Sequence, residues 1–227
     1  MKRTFFTELD QGSGEWHEAR AGIVTASAMR SLVTGSGQVA NNDTSRGLIR
    51  TLAAERIMGK PADSFSSRMM DRGSALEPFA RDLYAEHYAP VDEVGFIRLD
   101  TDEYSLGYSP DGLIGHDGLI EIKSPGPKEH LRTILDDAEM PKVYQWQVQV
   151  GLFVTGRSWL DFVSYCPGMD LFVNRIWPDP QAHAVIEEAV KKAEYDIRGI
   201  IHTYETSGKG RVHTEWHDPF EEDEMEF

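Results

Sequence analysis

Residues Ser109–Pro125 read SPDGLIGHDGLIEIKSP, with Asp-Gly-Leu-Ile on both sides of the turn Gly115-His116-Asp117-Gly118. A short Gly- and Asp-rich turn between apolar runs predicts a β-hairpin. Strand alternation then turns Ile120 and Ile122 to one face and Glu121 and Lys123 to the other. Asp111 opens the first arm, so the hairpin brings it beside Glu121. Two carboxylates that close repel unless a cation or a proton sits between them. Oxygen donors without His or Cys suit Mg²⁺, or Mn²⁺ in its place. Such an ion activates water, and the Lys123 ammonium beside it orients that water and stabilises charge on a phosphate. This combination suits metal-assisted phosphodiester hydrolysis.

The chain around the hairpin has 227 residues and a formal net charge of −15, which argues against general coating of nucleic acid. A small, locally basic site remains compatible with that total. The single cysteine, Cys166, excludes a disulfide framework and a cysteine-held cluster. The N-terminal MKRTFFTELDQGSGEW lacks the apolar stretch of a secretory signal, and no apolar run is long enough to span a bilayer. A cytoplasmic protein without a membrane partner is expected, of one domain over 1–227. Its core covers about 13–204, and 205–227 form an acidic extension that reads as a solvated terminus or a docking tail.

Hydrophobic spacing predicts a helix after Ser45 that ends before Gly59-Lys60-Pro61, and another from Ser74 carrying Leu76, Phe79, Leu83 and Tyr84. SSRMMDRG (66–73) reads as a connector between them. From residue 94 the period changes from about 3.6 to about 2. Strands are expected within 94–100, 104–111, 117–125, 159–166 and 171–177. A helix over about 143–154 interrupts them, and a long helix over about 180–204 closes the core. The order gives an α/β (α+β) fold, with a central mixed or antiparallel sheet flanked by helices.

Pro110-Asp111, followed after nine residues by Glu121-Ile122-Lys123, matches the PD-(D/E)xK nuclease signature. Three further blocks occur in order: GEWHEARAGIVTAS (14–27), RGSALE (72–77) and YQWQVQVGLFVT (144–155). Over about residues 13–180 the chain resembles the lambda-exonuclease-like, YqaJ-type viral recombinase nucleases, whose core is that of the restriction endonucleases.

The resemblance implies an Mg²⁺-dependent exodeoxyribonuclease. It would digest the 5′-ended strand of linear duplex DNA to mononucleotides and leave 3′ overhangs for recombination by strand annealing. Asp111, Glu121 and the main-chain oxygen of Ile122 would hold metal, with Glu77 completing a two-ion site. Glu77 also closes Ser74-x-x-Glu77, which reads as a capping box. Lys123 would aim the attacking water, and Gln149 on the following helix would hold it, with Gln145 one turn earlier as the other choice. Arg20 and Ser27 would grip the 5′-phosphate. Met70 would be the apolar wedge at the duplex end, between Arg68 and Arg72, with Lys128 as a further DNA contact. A homotrimeric ring and a single-strand-annealing partner are also implied. The alternatives are an endonuclease of the same superfamily and a non-catalytic module that binds DNA ends.

Overall fold

The computed structural model describes residues 1–62, 68–208 and 210–215, the side chains of 68–70 and 136–137 excepted. The chain opens with β1 (Lys2–Phe6), α1 (Gly14–Arg20) and β2 (Val24–Thr25), then a 3₁₀ turn over Ala26–Ser31. Two helices follow, α2 (Asp43–Met58) and α3 (Arg68–His87). Asn42 caps α2 in a reciprocal box with Ser45, and Gly59 ends it at φ +68°. Ser45 is therefore inside the first turn rather than before it. The helix expected from Ser74 begins at Arg68, so 68–73 of the expected connector are helical, and 63–67 lie outside the described residues.

The strands β3 (Phe96–Asp100), β4 (Ser105–Tyr108), β5 (Gly112–Ile114) and β6 (Gly118–Lys123) come next. The doubled phrase folds as the expected hairpin: Gly112 pairs with Ile120, and Gly115 turns at φ +52°. Then come α4 (Pro127–Arg132), α5 (Gln145–Thr155), β7 (Trp159–Ser164), β8 (Phe172–Ile176) and α6 (Pro180–Ser207). Where one sheet was expected, the strands form two mixed four-stranded sheets, ordered β1-β3-β4-β2 and β5-β6-β7-β8. Asp111 stands on the link where the chain crosses from one sheet to the other.

Strand β6 is central, antiparallel to β5 and parallel to β7, and buried along most of its length. Its even positions, Ile120 and Ile122, pack with Ala80 and Tyr84 of α3. Leu119, on the opposite face, joins the larger core with Val148 of α5 and Ile186 of α6. Glu121 and Lys123 share the face of Leu119 and stand under α5. A strand sandwiched this way fixes its register, because a slip by one residue would drive both charges into the apolar layer beneath α3. Among the described residues no helix is long and apolar enough to cross a membrane.

Candidate active site

The link carrying Asp111 is held from both sides. Trp16 of α1 donates its indole N–H to Ser109 Oγ (3.0 Å) and to the Gly95 carbonyl (3.1 Å). Gln11 Nε2 donates to the Pro110 carbonyl over 2.9 Å. From α3, Arg81 Nε donates to the main-chain oxygen of Asp111 over 2.8 Å. The Asp111 carboxylate accepts the Ile122 N–H at 2.5 Å, which aims it along β6.

Glu121 is 1% exposed and accepts three hydrogen bonds. Lys123 Nζ lies 2.6 Å from Oε1, Gln147 Nε2 also donates to Oε1, and the Tyr108 hydroxyl donates to Oε2 over 2.8 Å. Glu77 is drawn the other way, onto Arg81, which also reaches Glu93 at 2.6 Å. Arg81 thereby ties α3, the Asp111 main chain and the segment before β3 into one unit.

Burial raises the Asp111 carboxyl well above the usual range, and the nearby Glu121 and Glu77 charges push it the same way. Burial also raises Glu77, against the pull of Arg81 and with the repulsion of Glu121. Desolvation works to lower Lys123, but Glu121 and Asp111 outweigh it and hold the ammonium above its ordinary value. The centre therefore carries more negative charge than its surroundings solvate, with a lysine that stays protonated.

Asp111, Glu77 and Lys123 line a cleft of about 1340 Å³, together with Ser124, Tyr144 and Ser164. Among the described residues no three His, Cys, Asp or Glu side chains stand together at metal-holding spacing, and Glu77 is paired with Arg81. The donor chemistry of the other acids does fit a hard divalent ion. Both are buried, Asp111 is destabilised by its neighbours, and its Oδ1 takes no hydrogen bond from a described residue.

The structure thus brings Asp111, Glu121, Lys123, Glu77 and the Ile122 main chain to one place. It corrects two readings made from the sequence. Ser74 lies inside α3, so Ser74 and Glu77 form no capping box. Gln149 does not face the acids: its amide N–H reaches the Trp177 carbonyl (2.9 Å) and its oxygen accepts the Asp179 N–H (2.9 Å). The glutamine at the acids is Gln147, and Gln145 makes no hydrogen bond with them.

The residues expected to meet DNA are spread more widely. The Arg20 guanidinium carbon lies 3.6 Å from the Trp16 ring centroid, and burial lowers the Arg20 pKa to about 10, against the pull of Glu55. It is still a cation at neutral pH. Ser27 is exposed on the 3₁₀ turn, 3.4 Å from the Thr25 hydroxyl. Arg72 is a brace, its Nη1 donating to the Ser124 carbonyl over 2.7 Å. Lys128 is almost fully exposed beside Glu129. The wedge Met70 and its neighbour Arg68 begin α3, but their side chains lie outside the described residues.

Three partners of the acids were not anticipated: Gln147, Tyr108 and Arg81. Arg81 had a readable signal, since it stands four residues after Glu77 on a predicted helix. Gln147 sits on a helix buried on several sides, where amphipathicity does not pick the polar face. Tyr108 reads as an ordinary strand aromatic.

Residues 15–158 match the YqaJ-like viral recombinase domain. The crystal structure of an alkaline exonuclease, LHK-Exo, from Laribacter hongkongensis superposes with a TM-score of 0.76. It is 32% identical, over 87% of this chain and 98% of that one. The same exonuclease in complex with dAMP gives 33% identity, 87% and 99% coverage and the same TM-score of 0.76. A phage-related exonuclease from Haemophilus somnus 129PT shares the fold, with a TM-score of 0.59 and 13% identity over 79% of this chain and 95% of that one. The chain matches no curated protein sequence.

Proposed function

Because the chain belongs to the YqaJ-like viral recombinase domain family, we propose that it is a metal-dependent exodeoxyribonuclease. It digests the 5′-ended strand of linear duplex DNA to mononucleotides and leaves a 3′ overhang. The observation that carries this reading is the meeting of Asp111 and Lys123 in one cleft, with Glu121 2.6 Å from Lys123 and both carboxylates buried. The exonuclease relative at 32% identity supports the reaction class, and the dAMP complex of that relative agrees with release of mononucleotides.

Asp111, Glu121 and the Ile122 carbonyl would hold Mg²⁺, with Mn²⁺ as a substitute. Glu77 would serve a second ion once it leaves Arg81. Bound there, the ion supplies a Lewis acid for the scissile phosphate and lowers the pKa of its water. The rest belongs to the chain. Lys123 is held protonated by Glu121, so it donates rather than accepts: it orients the nucleophilic water and stabilises the charge growing on the phosphate. Gln147 and Tyr108 fix the Glu121 carboxylate from two sides, so the acid needs little reorganisation when substrate arrives.

Arg20 and Ser27 grip the 5′-phosphate, and Met70, with Arg68, parts the duplex end. Arg72 supports the site through Ser124, and Lys128 meets the backbone from solvent. The enzyme works as a homotrimeric ring in the cytoplasm, beside a single-strand-annealing protein. Its net charge of −15 agrees with a ring that keeps its basic residues inward.

The test uses linear duplex DNA with Mg²⁺, bearing a 5′-phosphate or a 5′-hydroxyl, against closed circles and EDTA controls. Rapid digestion of the phosphorylated linear DNA alone, abolished by Asp111→Ala and by EDTA, is the expected result. Cutting of circles would replace the exonuclease with an endonuclease. Digestion that survives Lys123→Ala would remove the mechanism.

A further inference from the structure

Building on the nuclease reading and resting on it, we propose that Arg30 and Lys142 form a phosphate clamp on two walls of the acid cleft. They would hold the DNA backbone on either side of the acids. Both line the cleft that contains Asp111, Glu77 and Lys123. They arrive from opposite parts of the sequence, Arg30 near the end of the 3₁₀ turn Ala26–Ser31 and Lys142 at the start of a second such turn, Lys142–Tyr144.

Each is mounted on an element continuous with the site. Strand β2 pairs with Leu106 and Gly107 of β4, and the first turn follows it directly. Arg30 is thus tied to the strand that supplies Tyr108. Ser27 and Arg30 are three residues apart, a spacing that stacks side chains on one face of a 3₁₀ turn. A hydroxyl and a guanidinium then point the same way, a pairing suited to phosphate oxygens. The second turn runs into α5 and ends at Tyr144, three residues before Gln147. Its Tyr144 ring lies 5.6 Å from Lys123 Nζ.

The other cations that line the cleft are already engaged: Lys123 is paired with Glu121, and Arg132 lies 3.9 Å from Glu129. Arg30 and Lys142 are exposed and make no ion pair with a described residue, in a chain with 38 acidic residues to 23 basic. An exposed cation without an acid partner beside a buried anionic centre has use for a polyanion. Glu139 on the same rim opposes it, so the clamp positions the backbone rather than dominating affinity.

Fluorescence anisotropy of a 5′-phosphorylated duplex in EDTA, over a salt series, tests this without turnover. Each neutralised phosphate contributes a slope of about 0.9 in log K against log salt. Arg30→Ala and Lys142→Ala should each flatten the slope by about that much. Affinity should then fall about threefold less than for wild type between roughly 50 and 200 mM salt. Arg30→Lys should keep the slope, and Lys192→Ala, outside the cleft lining, should not change it. Unchanged slopes in variants that still digest DNA overturn the clamp alone. Wild-type protein that binds with this pattern but never cleaves overturns the nuclease reading and leaves the clamp. Absence of duplex binding by wild type overturns both.

Discussion

Arg81 Nε donates to the main-chain oxygen of Asp111 over 2.8 Å, so a helix residue sets where the first acid of the hairpin stands. The same guanidinium holds Glu77 and Glu93, and its side chain is 14% exposed. A planar fork that serves three acceptors cannot be replaced by a point charge. Arg81→Lys should lower the cleavage rate about tenfold and Arg81→Met about a hundredfold or more, as expected when an oriented group is misplaced. Loss of charge-assisted bonds should also cost about 2 kcal/mol in urea unfolding. Initial rates and urea midpoints measured on the same preparations check both.

The acids carry a stability cost, which the divalent ion of the proposed function would relieve. Burial, with Glu121 and Glu77 nearby, holds the Asp111 carboxyl above its unfolded value, so the folded state keeps that proton longer than the unfolded chain. Between the two values the native state binds more protons, and stability falls as pH rises through that window. Asp111→Asn removes the charge and keeps an acceptor for the Ile122 N–H. Without metal it should melt a few degrees higher than wild type at pH 7, and the difference should shrink below pH 4. Mg²⁺ should raise the wild-type Tm and leave the variant unmoved. Calorimetry with and without Mg²⁺ reads all three outcomes.

Glu194 of α6 has the opposite sign. Burial works to raise its pKa, but hydrogen bonds from Arg56 (2.7 and 2.8 Å) and Arg198 (2.8 Å) bring it below the ordinary glutamate value. Its contribution is fully present above the unfolded value and is lost as pH falls through the depressed folded one. The cluster joins α2 to α6 and is partly open to solvent, so the contribution is discounted to about 1 kcal/mol. Glu194→Gln should be less stable than wild type by that amount at pH 7, and the difference should shrink as pH falls below the ordinary glutamate range. Denaturant titrations over a descending pH series check it.

The hairpin and its acids were legible because a period of two and a short polar turn fix both register and face. The glutamine was not. Helix α5 is buried at Val148, Gln149, Val150, Gly151 and Leu152, so polarity does not tell which side meets the acids. Gln145 and Gln149 share one face, and Gln147 lies nearly opposite on the helical wheel. Gln149 instead serves the backbone at Trp177 and Asp179, leading into α6. Gln147→Ala should reduce turnover about a hundredfold with little change in Tm. Gln149→Ala should cost about 1 kcal/mol by removing hydrogen bonds to two part-buried backbone groups, with turnover nearly intact at low temperature. Parallel turnover assays and melting curves separate the two roles. The expected wedge Met70 and its neighbour Arg68 were read from resemblance alone, and their side chains lie outside the described residues.

Gly151 couples the helix to the acids through contact distance. A Cβ at this position would lie 2.8 Å from the Tyr108 ring, whose hydroxyl holds Glu121. Four residues earlier on α5, Gln147 donates to the same carboxylate. Helix and ring must approach closely for both hydrogen bonds to exist, and only a missing side chain allows it. Both Tyr108 and Val150 are fully buried, so there is little free space into which the ring can retreat. Gly151→Ala therefore overpacks the core, at about 1–3 kcal/mol. It also moves Tyr108 and Gln147 relative to Glu121, so turnover should fall at least tenfold at temperatures where the variant is fully folded. A second change, Tyr108→Phe, removes the hydroxyl and keeps the ring. If Gly151→Ala acts through Tyr108, the turnover losses of the double variant should fall short of the sum in free energy.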